Sequence, residues 1–162
     1  MQIDPRGPRF GALITMVVLA IVLITGNIWV LAVQALAFAA GTFLGVAASP
    51  YGLAYRWLVR PRLGPPTELE DAAPPRFAQA VGLVISLIGI IGYGTGLVPV
   101  GMAAVSLGLA AAVLNGVFGV CLGCEVYLLI RRSWPAAADA GPGRPDQRLS
   151  DGRPTAGKTA QL

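Results

Sequence analysis

Cys121 and Cys124 stand three residues apart and are the two cysteines of the chain, with Glu125 directly after them. Two thiols at this spacing can exchange with a disulfide, one attacking and the other resolving the mixed disulfide. The residues do not say which would attack. If a helix breaks and restarts at this point, one thiol lies near unpaired backbone N–H groups and is favoured as thiolate. If the helix runs straight through, that help is absent. Glu125 acts against activation, since a neighbouring negative charge raises a thiol pKa. Glu125 itself reads as an interfacial acid, hydrated or paired with Arg131, Arg132 or Tyr127. The inert alternative is that both cysteines serve as small apolar residues of a membrane helix. A lone C-x-x-C without a βαβ context does not decide between these readings. Metal ligation would need a second chain, because a closed zinc site wants four ligands and one chain offers two thiolates and Glu125. The sequence contains no His, which removes the commonest general base and the c-type haem motif. No metal and no cofactor is expected, and the residues name no enzyme class.

The elements that must hold this pair are apolar. Of 162 residues, 55% are hydrophobic and 12% charged, about half the charge of an average soluble domain. The net charge of +4, carried almost wholly by Arg, is first a membrane-topology signal and gives no nucleic-acid surface. No charge occurs from Phe10 to Tyr55 or from Phe77 to Cys124. Each run is long enough for two crossings of about 20 residues. The expected spans are Phe10–Thr25, Ile28–Ala48, Phe77–Gly92 and Val100–Val120. The turns fall at Thr25-Gly26-Asn27 and around Tyr93–Pro99. Ser49-Pro50 is expected to break the second helix. Tyr51–Arg60 mixes aromatics and Arg as an interfacial segment does. Pro61–Pro75 is a hydrophilic connection with an acidic cluster, Glu68, Glu70 and Asp71. Residues 133–162 have the composition of a disordered tail. No small-residue cleavage site follows Phe10–Ile24, so this is an uncleaved helix and not a signal peptide.

The halves resemble each other. Pro8-Arg9-Phe10 returns as Pro75-Arg76-Phe77, and Tyr55 and Arg60 align with Tyr127 and Arg132. In that register Ser49-Pro50-Tyr51-Gly52 lies over Cys121-Leu122-Gly123-Cys124. The expected architecture is an all-α membrane protein with four transmembrane helices as two tandem helical hairpins. Residues 1–132 form the membrane domain, with repeat one at about 8–62 and repeat two at about 75–132, related by an axis along the membrane normal. Arg6, Arg9, Arg56, Arg60, Arg62, Arg76, Arg131 and Arg132 then share one side, which places both termini in the cytoplasm. Gly41 and Gly45, and Gly108, Ala112 and Gly116, make small-residue faces for close helix packing, within the chain or in a homo-oligomer. Gln34, Ser86, Ser106 and Asn115 could bond between helices or form a thin polar path.

The opening Asp4–Phe10, the link Ser49–Gly52, the runs Val59–Asp71 and Pro75–Gln79, and Cys121–Leu129 resemble an actinobacterial family of small integral membrane proteins, a domain of unknown function. The resemblance covers Ile3 to Arg132. It implies a four-helix protein of the bacterial inner membrane, and it favours thioredoxin-like or sulfur-transfer proteins as partners. The leading expectation is therefore a membrane-embedded thiol protein that exchanges disulfides or sulfur with a cytoplasmic thioredoxin-like or sulfurtransferase partner. Its rivals are a scaffolding membrane subunit with inert cysteines and an oligomeric small-solute channel through Gln34, Ser106 and Asn115.

Overall fold

The computed structural model describes residues 2–64 and 69–133. Helix α1 (Arg6–Thr25) starts four residues earlier than the lack of charge suggested. Asp4 Oδ1 accepts the Arg6 N–H at 3.0 Å and so starts the first turn, and Pro8 sits within that turn, where a missing N–H is tolerated. The extra turn gives α1 20 residues. At its end Asn27 Oδ1 accepts the N–H groups of Trp29 and Val30, at 2.9 and 3.3 Å, and caps α2 (Ile28–Phe43), as a short polar side chain at this position does.

Helix α2 corrects the expectation. It ends at Phe43 after 16 residues, not at Ala48, and Pro50 is not what stops it. The backbone turns at Gly45, whose φ of +97° excludes an ordinary side chain at little cost. One 3₁₀ turn, Val46–Ala48, follows. Ser49 then caps α3 (Pro50–Ala54), and Pro50 fills that helix's first turn. Pro50 therefore opens a helix, which suits its fixed φ and absent N–H. Helix α3 runs through a π-helical turn, Tyr55–Val59, into α4 (Arg60–Leu63). The wider turn precedes Pro61, which has no N–H for an α-helical bond and whose ring would press on the carbonyl four residues back.

The second half comprises α5 (Ala73–Gly94), α6 (Val98–Phe118) and α7 (Leu122–Ser133). Two short strands, β1 (Gln2–Ile3) and β2 (Glu70–Asp71), pair antiparallel, with Ile3 opposite Glu70. The expected disordered tail lies outside the described residues, apart from Ser133, which closes α7. Glu68 of the acidic cluster lies outside them too. Helices α1, α5 and α6 have the length and apolar composition to cross a membrane, while α2 is apolar but shorter. These features are those of an integral membrane protein.

Helix α1 packs chiefly on α6, α2 on α5, and α5 on α6, whereas α1 meets α2 much less. Each helix of the first pair thus leans on the second pair more than on its own neighbour. Leu19, Val22, Leu31 and Val105 form the buried centre. Helices α5 and α6 touch backbone to backbone near their turn: a Cβ on Gly92 would lie 2.5 Å from the Gly101 nitrogen. The small face of α6 is used inside the chain, since Gly108 and Gly116 receive Leu19 and Leu13 of α1 at 3.2 and 3.0 Å from where a Cβ would stand. Gly41 makes room for Gln79 in the same way, while Gly45 lies beyond the helix and is no part of a packing face.

Candidate functional site: a dithiol at a helix break

Of the two arrangements open at the cysteines, the chain adopts the broken one. Helix α6 ends at Gly119, which has φ +73°, and the Cys121 carbonyl accepts the Glu125 N–H at 3.0 Å as the first bond of α7. Cys121 therefore sits where a helix cap sits. The neighbouring Cys124 thiol first, and then the Cys124 and Gly123 amides, favour the charged form and bring the Cys121 thiol down to about 7, against burial and the Glu125 charge. Cys124 is pushed up, first by the Cys121 thiol beside it and then by burial. Both cysteines are free and half-buried. Glu125 lies exposed on the first turn of α7 and raises both thiols, the sign expected of it, but it is the weakest influence on each.

The positions aligned with the dithiol in the first half have the same backbone role and different chemistry. Ser49, aligned with Cys121, also caps a helix: its Oγ accepts the Gly52 N–H at 3.1 Å and donates to the Val46 carbonyl at 2.7 Å. Gly52, aligned with Cys124, has no room for a side chain, since a Cβ would come within 2.1 Å of the Val46 oxygen. Tyr51 packs its Cβ at 3.4 Å from a Cβ built on Gly11, and its hydroxyl donates to Gln34 Oε1 at 2.6 Å. The corresponding contact in the second half has the sizes exchanged: Gly123 lies against Ala78, 2.7 Å from the Ala78 Cα to a built Cβ. A large ring thus fills the first site, whereas at the second the helices meet closely through Gly123 and Ala78, beside two thiols.

Other aligned residues act alike. Phe10 meets Tyr55 with ring centroids 5.9 Å apart and a 50° tilt, and Phe77 meets Tyr127 at 5.6 Å and 48°. Arg76 donates to the last carbonyls of α2, Thr42 at 2.6 Å and Phe43 at 3.0 Å. The Arg9 guanidinium lies at the end of α6, 3.3 Å from a Cβ built on Gly119. A cation at a helix C-terminus is favoured by the exposed carbonyls there.

A cavity of about 380 Å³ lies between α1, α2, α5 and α6 and reaches α7, with both cysteines in its wall. Arg9 and Glu70 line the cysteine end, and Thr15, Gln79, Ser86 and Asn115 are the polar groups along it. Of the residues named for the channel alternative, Asn115 lines the cavity and Gln34 and Ser106 do not. Gln34 is fully buried, donating to Thr15 Oγ1 at 3.2 Å and accepting from Tyr51, while Ser106 is exposed on the outside of α6. Sequence reasoning did not place Arg9 and Glu70 at the dithiol; the recurrence of Pro-Arg-Phe was the signal for Arg9, and Glu70 stood out only as a member of the acidic cluster.

No curated protein and no solved structure matches the chain significantly. The family defined as Domain of unknown function (DUF4395) matches residues 3–132, a stretch that contains both helical pairs and the dithiol, and the chain is a member of that family.

Proposed function

We propose that the protein is a membrane-embedded thiol–disulfide exchanger whose reactive pair is Cys121–Cys124 and whose partner is a soluble thioredoxin-like or sulfurtransferase protein. The observation that carries this reading is the helix break between Gly119 and Leu122, which sets Cys121 just before the first turn of α7 and puts both thiols in the wall of one cavity. Cys121 is the attacking residue and Cys124 the resolving one. The Cys121 thiolate attacks one sulfur of a partner disulfide and releases the other as thiolate. Cys124 then loses its proton and attacks the Cys121 sulfur, releasing the partner's second thiolate. The partner ends reduced and the pair ends as a disulfide; the reverse sequence oxidises a partner dithiol.

The proposal includes four crossings and a common side for the termini. Strand pairing of β1 with β2 sets the starts of α1 and α5 at one end. Arg76, at the start of α5, holds the last carbonyls of α2. Helix α2 therefore returns the chain to the end where α1 began, although its 16 residues span only about 24 Å and rely on Gly45–Ala48 for the remainder. The Arg-rich ends share that side, the cytoplasmic one by the bias of Arg toward cytoplasmic loops. The two halves are a duplication, supported by the paired rings, the paired caps and the Ile3–Glu70 pairing of aligned residues.

The test is a redox titration of the purified protein in dithiothreitol buffers, read by maleimide gel shift. A single two-electron transition lost in both Cys121→Ser and Cys124→Ser supports the exchanger. A pair that stays reduced under every oxidising buffer, in a folded protein, sinks it and leaves a scaffolding subunit with inert cysteines.

A further inference from the structure

The cavity has a chemistry of its own. Its wall is mostly apolar, and it lies between helices that have the composition of membrane spans, so a charged or strongly hydrated solute would lose its water there without replacement. Its rim includes Val81 and Leu107, 36% and 60% exposed on the outer faces of α5 and α6, so the cavity is reached from the side of the bundle that lipid would cover. An apolar cavity of roughly 150 Å³ holds benzene; about 380 Å³ takes a substituted ring and the start of a tail. Two groups in the wall have hydrogen-bonding capacity to spare. Thr15 is 5% exposed and accepts from Gln34, and among the described residues its own O–H proton has no acceptor. Gln79 lies in the wall with its amide oxygen buried against Gly41, and among the described residues its amide N–H₂ donates to no acceptor.

We propose that this cavity binds the head group of a lipid-soluble quinone, and that the quinone is the electron acceptor for the Cys121–Cys124 dithiol. This rests on the exchanger reading above. The ligand must be apolar, carried by the bilayer, hold carbonyl oxygens for Thr15 and Gln79, and accept two electrons beside a dithiol; a quinone meets all four conditions. In the step, both S–H bonds are lost and one S–S bond forms. Two electrons and two protons pass to the quinone, which leaves as quinol. The disulfide then draws the next electron pair from a soluble dithiol.

The experiment uses the full chain, reduced and freed of reductant, in lipid nanodiscs under anaerobic conditions. It is mixed with a fully substituted benzoquinone, which thiols cannot alkylate at the ring. Quinol formation is followed by absorbance and the thiols by maleimide gel shift. One quinol per chain with simultaneous loss of both thiols is expected. Ala111→Phe, which fills the cavity, should slow this at least tenfold and leave oxidation by a soluble aromatic disulfide unchanged, which also shows that the variant is folded. Should the Phe disturb the bundle, Gln79→Leu takes its place, with an expected loss of roughly five- to tenfold, the worth of one hydrogen bond. Oxidation by the soluble disulfide but not by the quinone, or equal quinone rates in the wild type and the filled variant, overturns the quinone site and spares the exchanger. Oxidation by neither reagent overturns both.

Discussion

Ser49 and Cys121 hold the same place in two similar helix breaks, and the difference between them is the difference between structure and chemistry. Ser49 is buried, its hydroxyl used up between the Val46 carbonyl and the Gly52 N–H. Three residues on, the crowded Val46 oxygen permits only glycine. At the second break no 3₁₀ turn intervenes between Gly119 and the cap, so the third position after the cap has room for a side chain, and it is Cys124. The exchange of Tyr51 on Gly11 for Gly123 on Ala78 removes a ring from the neighbourhood of the second cap. The first break is closed and fully hydrogen-bonded; the second presents a sulfur to a cavity. A cap can be built from either residue, but only a thiol has a charged form that the helix's free amides stabilise near neutral pH.

The sharpest way to break this comparison is at the cap atoms. Cys121→Ser should keep the helix break, since a hydroxyl caps well, and should abolish exchange; Ser49→Ala should leave exchange intact and cost about 1 kcal/mol of stability. Thermal unfolding beside the maleimide assay separates the two, and a Cys121→Ser protein that still exchanges would end the assignment. The size exchange is tested next. Gly123→Ala drives a methyl into Ala78 and should destabilise by about 1–3 kcal/mol, and adding Ala78→Gly should recover much of the loss. Equal stability of the single and double variants would show that the contact is not the tight one described. A slightly smaller effect is expected at Tyr51→Phe, which strands the fully buried Gln34 oxygen; about 1–2 kcal/mol is lost, with exchange unchanged. The smallest test concerns charge. Glu125→Gln should lower the Cys121 midpoint slightly, because Glu125 is the last of the influences that raise it; an upward movement would contradict that sign.

Much of the fold was legible because charge is absent from the spans and Gly, Asn and Pro mark the turns. The start of α1 was placed late because Arg6 and Arg9 look like flanks; in fact Asp4 starts the helix and Arg9 reaches the end of α6. The end of α2 was placed late because Pro50 is the obvious breaker, yet the positive φ of Gly45 decides it, and nothing in an apolar stretch distinguishes that glycine from Gly41. The proposed register between halves rests on Pro-Arg-Phe and Tyr, and it sets the dithiol opposite Ser49. Whether the helix breaks at Cys121 was left open by sequence, since Gly119 can sit in a helix or end one. The cavity was not legible at all. Its wall is drawn from α1, α2, α5, α6 and α7, and which residues meet there is a property of side chains brought together from different helices.

The most direct test of the central claim is the pH dependence of alkylation of Cys121 in the reduced protein, read by mass spectrometry, in sealed vesicles of each orientation. Thiolate is the reacting form, so a thiol held at about 7 should react with a midpoint near that pH, from the side that bears the Arg-rich helix ends, with Cys124 unreactive over the same range. Cys121 that reacts only well above pH 8.5, the midpoint of an ordinary thiol, or only after detergent opens the membrane, would contradict the account and return the pair to the packing of the bundle.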